Sequence, residues 1–281
     1  ISYSKTDPNL TKQIDVIAID DEVILLIECK AAEKIDTTSN WKKELESING
    51  FFKGLCSELR KKYKKRKIKY ILATKNYIIG EQDIKRMDDF KIANFDYEVI
   101  SYYDELVKHL GTAARFQLLG NLFAKQKIDN IEEKVPAIEG TMGGFKYYTF
   151  LIEPAKLLKI SYILHRSKAN YKMMPTYQRL IKKDRLRAIR KFVNDGGYFP
   201  NSIIVSIDTG KSGLKFDLSG PRGENKNSRI GHLYLPSKYQ SIYIIDGQHR
   251  LYGYSDTKYA ENNTIPVVAF INLDRNEQVK M

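Results

Sequence analysis

Cysteine is nearly absent: Cys29 and Cys56 are the only two in 281 residues. That excludes a disulfide framework and fits a reducing compartment, which places the expected protein in the cytoplasm. Long apolar runs are missing too, and none approaches the roughly 18 residues that span a bilayer. The opening "ISYSKTDPNL" lacks a basic segment followed by an apolar one, so no signal peptide and no membrane partner are expected. The four histidines have no zinc spacing, and the two cysteines lie too far apart for a zinc knuckle. "GKS" at 210–212 is not a phosphate-binding Walker motif, because Val205 stands where its first glycine is required and no helix is expected to follow. No internal repeat or low-complexity tract is present.

Acidic residues are scarce in one half only. Residues 1–133 carry 23 Lys and Arg against 22 Asp and Glu, whereas residues 134–281 carry 24 against 12. The net charge of +13 therefore sits almost wholly in the second half. A surface of that kind suits a polyanion, either DNA, RNA or the phosphates of a nucleotide. The length suits two domains, expected at 1–133 and 134–281, each able to bury a core.

In the first half, "QIDVIAI" (13–19) and "VILLIEC" (23–29) read as two strands joined at "DDE". An amphipathic helix follows over about 40–64, with Trp41, Leu45, Ile48, Phe52, Leu55 and Leu59 near helical spacing. "IKYILAT" (68–74) is a buried strand, "YEVISYYDELVKHLG" a short strand entering a helix, and 112–126 a last helix. The polar stretch "KQKIDNIEEKVPAIEG" reads as the interdomain link. In the second half, "KYYTFLIE", "NSIIVSI" and "IPVVAFINL" are strands, and "PAKLLKISYIL" and the basic "RLRAIRKFVN" are helices. Asp184 is expected to cap the basic helix and Gly196-Gly197 to end it. Residues 209–237 read as a long loop or ragged hairpin.

If the first hairpin turns at Asp21-Glu22, residues whose numbers add to 43 face each other. Asp15 then stands opposite Glu28, and Lys30 follows on the same face two residues on. Two carboxylates so placed repel unless a cation lies between them, and Mg2+ or Mn2+ takes such oxygen ligands together with phosphate and water. A lysine beside the ion can orient or deprotonate water, or offset phosphate charge. The combination suits metal-assisted phosphodiester hydrolysis; the alternative is a surface hairpin with solvated acids.

Asp-Val-Ile-Ala-Ile, a hairpin, Glu-Cys-Lys and a long helix together resemble the PD-(D/E)XK nuclease superfamily over about 10–110. The resemblance implies a restriction-endonuclease-like mixed sheet flanked by helices. It makes Asp15, Glu28 and Lys30 the catalytic residues, and Asp15, Glu28 and the Cys29 carbonyl the metal contacts. That family usually places a helix before its first strand. Only fourteen residues precede Asp15, and the chain opens on Ile1, so this helix is expected to be missing. "RKKYKKRKIK" (60–69) suits either a phosphate backbone or a solvated helix end.

The second cluster is Asp246-Gly247-Gln248-His249-Arg250, between an apolar run and a helix start. Glycine permits close backbone approach, Arg250 offers a planar fork for phosphate, and His249 can donate to an anion. The bland alternative is an Asp246–Arg250 ion pair that fixes the turn. "DGQHRL", with "YQR" and "GGYFPNSIIVSI" upstream, resembles the DGQHR-domain proteins over about 145–275, including the DndB-like proteins of bacterial DNA-modification and phage-defence systems. More distantly it resembles the ParB/sulfiredoxin fold. The resemblance implies an α+β domain that continues past Met281. Its nucleotide or DNA contacts would be Asp246, Gly247, Gln248, His249 and Arg250, supported by Gln178 and Arg179. Sulfiredoxins carry a reactive cysteine in this turn; Gln248 stands between Gly247 and His249 here, so thiol chemistry is not expected.

The expectation is thus an α/β (α+β) protein of two domains: a Mg2+-dependent DNA endonuclease of restriction type, directed or licensed by a DGQHR domain. Its partners would be DNA, modified or not, a nucleoside triphosphate, and further copies of the chain in a homo-oligomer. The rivals are a non-catalytic DNA-binding regulator and an NTPase acting through Arg250.

Overall fold

The computed structural model describes residues 7, 9–37, 40–128, 134–163, 182–210, 213–219 and 228–280. The chain divides into two compact units, Ile1–Tyr102 and Tyr103–Met281. Both are mixed α/β.

The first unit is a four-stranded sheet ordered β1-β2-β3-β4, formed by β1 (Val16–Ile19), β2 (Val23–Asp36), β3 (Lys67–Tyr77) and β4 (Ile92–Phe95). β1 and β2 are antiparallel, while β2, β3 and β4 run parallel. Asp20 closes the hairpin, its Oδ1 accepting the N–H groups of Glu22 and Val23 at 2.8 Å each. Helix α1 (Lys42–Lys62) crosses from β2 to β3 and buries Leu45, Ile48, Phe51, Leu55 and Leu59 against Ile24, Leu26, Tyr70 and Leu72. The 3–4 residue spacing of those apolar positions is what makes the segment a core-facing helix. Asn40 Oδ1 takes the Lys42 N–H at 3.0 Å, and Arg60, Lys61 and Lys62 close the last turn, where cations suit the helix dipole. Part of the basic run is used locally: Arg66 and Lys62 lie 5.0 and 5.3 Å from the Tyr63 ring centroid. Helix α2 (Glu81–Phe90) buries only Met87, which explains its faint sequence signal.

"YEVISYYDELVKHL" contains no strand. It is helix α3 throughout (Tyr97–Leu110), begun where Asp96 Oδ1 accepts the Val99 N–H at 2.8 Å. The strand expected there lies just upstream as β4, so capping and pairing override the β-branched Val99 and Ile100. A 3-10 turn (Gly111–Ala113) and helix α4 (Ala114–Leu122) replace the single helix expected over 112–126.

The second unit holds an eight-stranded mixed sheet ordered β7-β11-β8-β12-β6-β5-β10-β9. Its strands are β5 (Lys134–Met142), β6 (Phe145–Ile152), β7 (Ser161–Tyr162), β8 (Ile203–Ile207), β9 (Phe216–Leu218), β10 (Arg229–Tyr234), β11 (Ile242–Asp246) and β12 (Ile265–Ile271). The presumed link is therefore strand from Lys134 onward. Val135, Ala137 and Glu139 are buried in alternation, a period masked in the sequence by Pro136 and by a charged residue on the inner face. Glu139 is accommodated there by cross-strand partners. Tyr148 donates to it at 2.8 Å, the Arg229 Nε at 2.7 Å, and Lys146 lies at 3.5 Å. Gly143 and Gly144, both at positive φ, make the two-residue β5–β6 turn that right-twisted hairpins prefer. β9 and β10 pair antiparallel within the segment expected as a ragged hairpin. Helices α5 (Pro154–Ile160), α6 (Lys183–Asn194), α7 (Gln248–Gly253) and α8 (Arg275–Lys280) complete the unit. Asp184 lies in the first turn of α6; the cap position belongs to Lys182 and has no side-chain bond.

Candidate functional site

The β1–β2 pairs Val16–Ile27 through Ile19–Ile24 all add to 43, so Asp15, at the mouth of β1, extends the register to Glu28. The Asp15 carboxylate is exposed, and its Oδ2 accepts the Cys29 backbone N–H at 2.8 Å. Glu28 is buried (7% exposed). Its Oε1 lies 3.2 Å from Lys30 Nζ, while its Oε2 has no hydrogen-bond partner among the described residues. Lys30 Nζ also sits 3.6 Å from Oε1 of Glu44, in the first turn of α1. Burial alone would lower the Lys30 pKa, but the hydrogen bond to Glu28 and the charges of Glu44 and Glu28 hold it above the ordinary lysine value.

The same face continues onto β3, where Tyr70, Leu72 and Thr74 pair with Leu26, Glu28 and Lys30. Tyr70 lies beside Glu28 without a well-formed hydrogen bond, and its pKa is pushed up by burial and then by the charges of Glu28, Glu44 and Asp15. Thr74 is 2% exposed and its hydroxyl has no hydrogen-bond partner among the described residues. The cluster spans the middle of β2 and β3, from Tyr70 to Thr74 on the latter. Cys29 is exposed, and its thiol pKa is raised by partial desolvation and by Asp15 and Glu28, so it is no activated nucleophile.

Among the described residues no group of three or more His, Cys, Asp and Glu side chains gathers as a metal cage. Asp15 and Glu28 instead offer an all-oxygen pair with one buried oxygen uncommitted. That fits the mode in which Mg2+ is held by one or two carboxylates and completes its shell with water and phosphate. Glu44 and Thr74 were not legible as site members: Glu44 reads as an ordinary first-turn acid, and Thr74 as a strand residue.

In the second unit, β11 and β8 pair with a register shift between Ile244 and Asp246. This bulge re-aims Asp246 at the strand end. Gly247 follows at φ +91°, and a Cβ there would lie 2.5 Å from Ile203 Cδ1, so the turn accepts only glycine without rearrangement. Arg250, one turn into α7, donates to Asp246 Oδ2 at 2.8 Å and to the Asn201 carbonyl at 2.7 Å. His249 is buried, its Nε2 accepting the Lys182 N–H at 3.3 Å. Gln248 stands partly buried at the first position of α7. Asp246, Gly247, Gln248, His249 and Arg250 are thus brought together, with the ion pair expected by the bland reading in place. Gln178 and Arg179 lie outside the described residues. On α6, Arg185, Arg187 and Lys191 are exposed. Arg190 points inward and binds Leu110 O at 2.9 Å and Asp256 at 2.8 Å.

The family described as DndB, DNA-sulfur modification-associated, matches residues 135–281. No curated protein and no solved structure matches the chain significantly.

Proposed function

Because this chain belongs to the DndB family of DNA-sulfur modification-associated proteins, we propose that it acts on DNA. In this reading the first unit is a PD-(D/E)XK-like phosphodiesterase site, and the DGQHR turn of the second unit contacts nucleotide or DNA. The observation that carries the enzymatic part is the buried, unpartnered Oε2 of Glu28, set opposite Asp15 and beside Lys30. An uncommitted carboxylate oxygen in a buried position is costly unless a cation or proton donor meets it. Bound Mg2+ would supply a Lewis acid and a water of lowered pKa. Asp15 and Glu28 are the residues to hold it.

Lys30 then acts as a fixed ammonium. A lysine whose pKa is raised by Glu28 and Glu44 is protonated at neutral pH, so it offsets phosphate charge and does not take a proton. Tyr70, kept protonated by burial and then by the neighbouring acids, stays a neutral neighbour of Glu28.

Incubation of the whole chain with sulfur-modified and unmodified plasmid in Mg2+ tests this. Cleavage is expected to stop with EDTA and to fall about 10²–10³-fold in Lys30→Ala, as when a transition-state charge partner is removed. Equal cutting by Lys30→Ala would refute the site. A second reading, a non-catalytic DNA-binding regulator, is favoured by Lys30 being held between two acids and Arg250 being closed by Asp246 and Asn201. DNA binding without cleavage in the same assay would select it.

A further inference from the structure

The DGQHR turn leaves the carboxyl end of β11. The opposite end of the same strands bears a separate cleft of about 370 Å³, bounded by the residues that follow β8 and precede β11. That volume lies in the range of small-molecule sites. Its lining holds the cations Lys125, Lys215 and Lys238 together with the apolar Leu214, Leu235 and Pro236 and the ring of Tyr234.

Asp208, the only acid among the described residues of the lining, is already engaged. Its Oδ2 accepts Lys125 Nζ at 2.5 Å and its Oδ1 accepts the Gly210 N–H at 3.0 Å. The hydrogen bond from Lys125 leads the interactions that hold its carboxyl below the usual aspartate value. Lys125 is further tied to the Gln240 carbonyl at 3.0 Å, so it shapes the wall and is not free to move to a ligand. Lys238 is exposed; its charge helps hold the Asp208 carboxyl down, but it forms no ion pair within 4 Å among the described residues. Lys215 and Lys134 lie 4.2 and 5.5 Å from the centroid of the Tyr234 ring, whose hydroxyl is fixed on Asp217 at 2.7 Å, so a base meets this ring only when Lys215 swings away to the phosphate. The second tie of Lys215, to Asp217 at 3.5 Å, is exposed and weak. Two ammonium groups can therefore turn to an anion, next to an aromatic and apolar wall.

We propose that this cleft is a second ligand site, independent of the function proposed above, which takes a nucleoside phosphate: the phosphate against Lys238 and Lys215, the base against Tyr234 and Leu235. Lysines hold phosphate as point charges, and aromatic rings accept any base by stacking. A free mononucleotide and one nucleotide of a single strand share this chemistry.

The test is lysine footprinting by acetylation and mass spectrometry on the whole chain, with 5′-dAMP, a ten-nucleotide single strand, or inorganic phosphate. The expected result is at least fivefold protection of Lys215 and Lys238 by dAMP or by the strand, whichever is the true source. Calorimetry should then show at least tenfold weaker binding of that ligand by Lys238→Glu, an exposed substitution whose melting temperature is checked against the parent. Protection by phosphate equal to that by either nucleotide probe would overturn the base-binding half. Unprotected lysines, or unchanged affinity in both Lys238→Glu and Lys215→Ala, would overturn the site.

Discussion

At the scale of single residues, the strongest constraints are a glycine and a buried acid. Gly247 combines φ +91° with a space in which a Cβ would strike Ile203. Gly247→Ala is expected to lose about 1–3 kcal/mol in denaturant unfolding, because alanine must adopt a strained backbone or displace its neighbour. Glu139 has a folded pKa below its ordinary value: burial opposes this, but the Tyr148 hydrogen bond and the Arg229 and Lys146 cations prevail. The sign follows from linkage. Its stabilisation is complete above the unfolded carboxylate pKa, about 4.3, and is lost as pH falls through the lower folded value. Thermal melts should therefore show an acid limb below about pH 4.3 that is shallower in Glu139→Gln. A limb identical in parent and variant would show that the network does not couple to folding.

At the scale of elements, α6 separates two roles that its composition merges. Arg190 is turned inward, where it ties the helix to Leu110 O and Asp256. Arg185 and Arg187 face outward. Arg190→Ala should lower stability by about 1–3 kcal/mol, since it strands buried and part-buried acceptors. The double change Arg185→Ala and Arg187→Ala should leave the melting temperature unaltered; weaker DNA binding by it would identify α6 as a contact surface. The hairpin β1–β2 makes a similar point. Its register was readable because Asp20, Asp21 and Glu22 can only be a turn between two apolar runs. The extension of β2 to Asp36 was not, since "KAAEKID" has little strand propensity; it pairs with β3 only through Ala31 and again at Asp36, and Asn76 Nδ2 donates to the Ala32 and Glu33 carbonyls between them.

At the scale of the whole molecule, the excess of cations in residues 134–281 predicts salt-sensitive association with DNA. Binding of a labelled duplex should weaken at least tenfold between 50 and 200 mM salt, as expected on the order of several released counterions. A flat response would mean that the basic surface does not meet phosphate. The two units also differ in how they use charge. Around Glu28, Lys30 and Glu44 acids and a cation neutralise one another, whereas in residues 134–281 cations outnumber acids two to one.

What the sequence determined by itself is local and periodic. The apolar spacing of α1, the β1–β2 register that sets Asp15 opposite Glu28, and the asymmetry of charge all follow from residue order, because backbone geometry fixes which side chains share a face. The family was also written in "DGQHRL", a turn whose glycine is required by its backbone. Tertiary structure decided what depends on segments far apart in the chain. Glu44 reaches Lys30 only because α1 folds back over the sheet. Asn201 meets Arg250 only because β8 lies beside β11. The basic and apolar cleft exists only because the segments after α4, before β9 and before β11 converge to bring Lys125, Lys215 and Lys238 together. Such contacts arise from strand order and crossover, which no local spacing encodes.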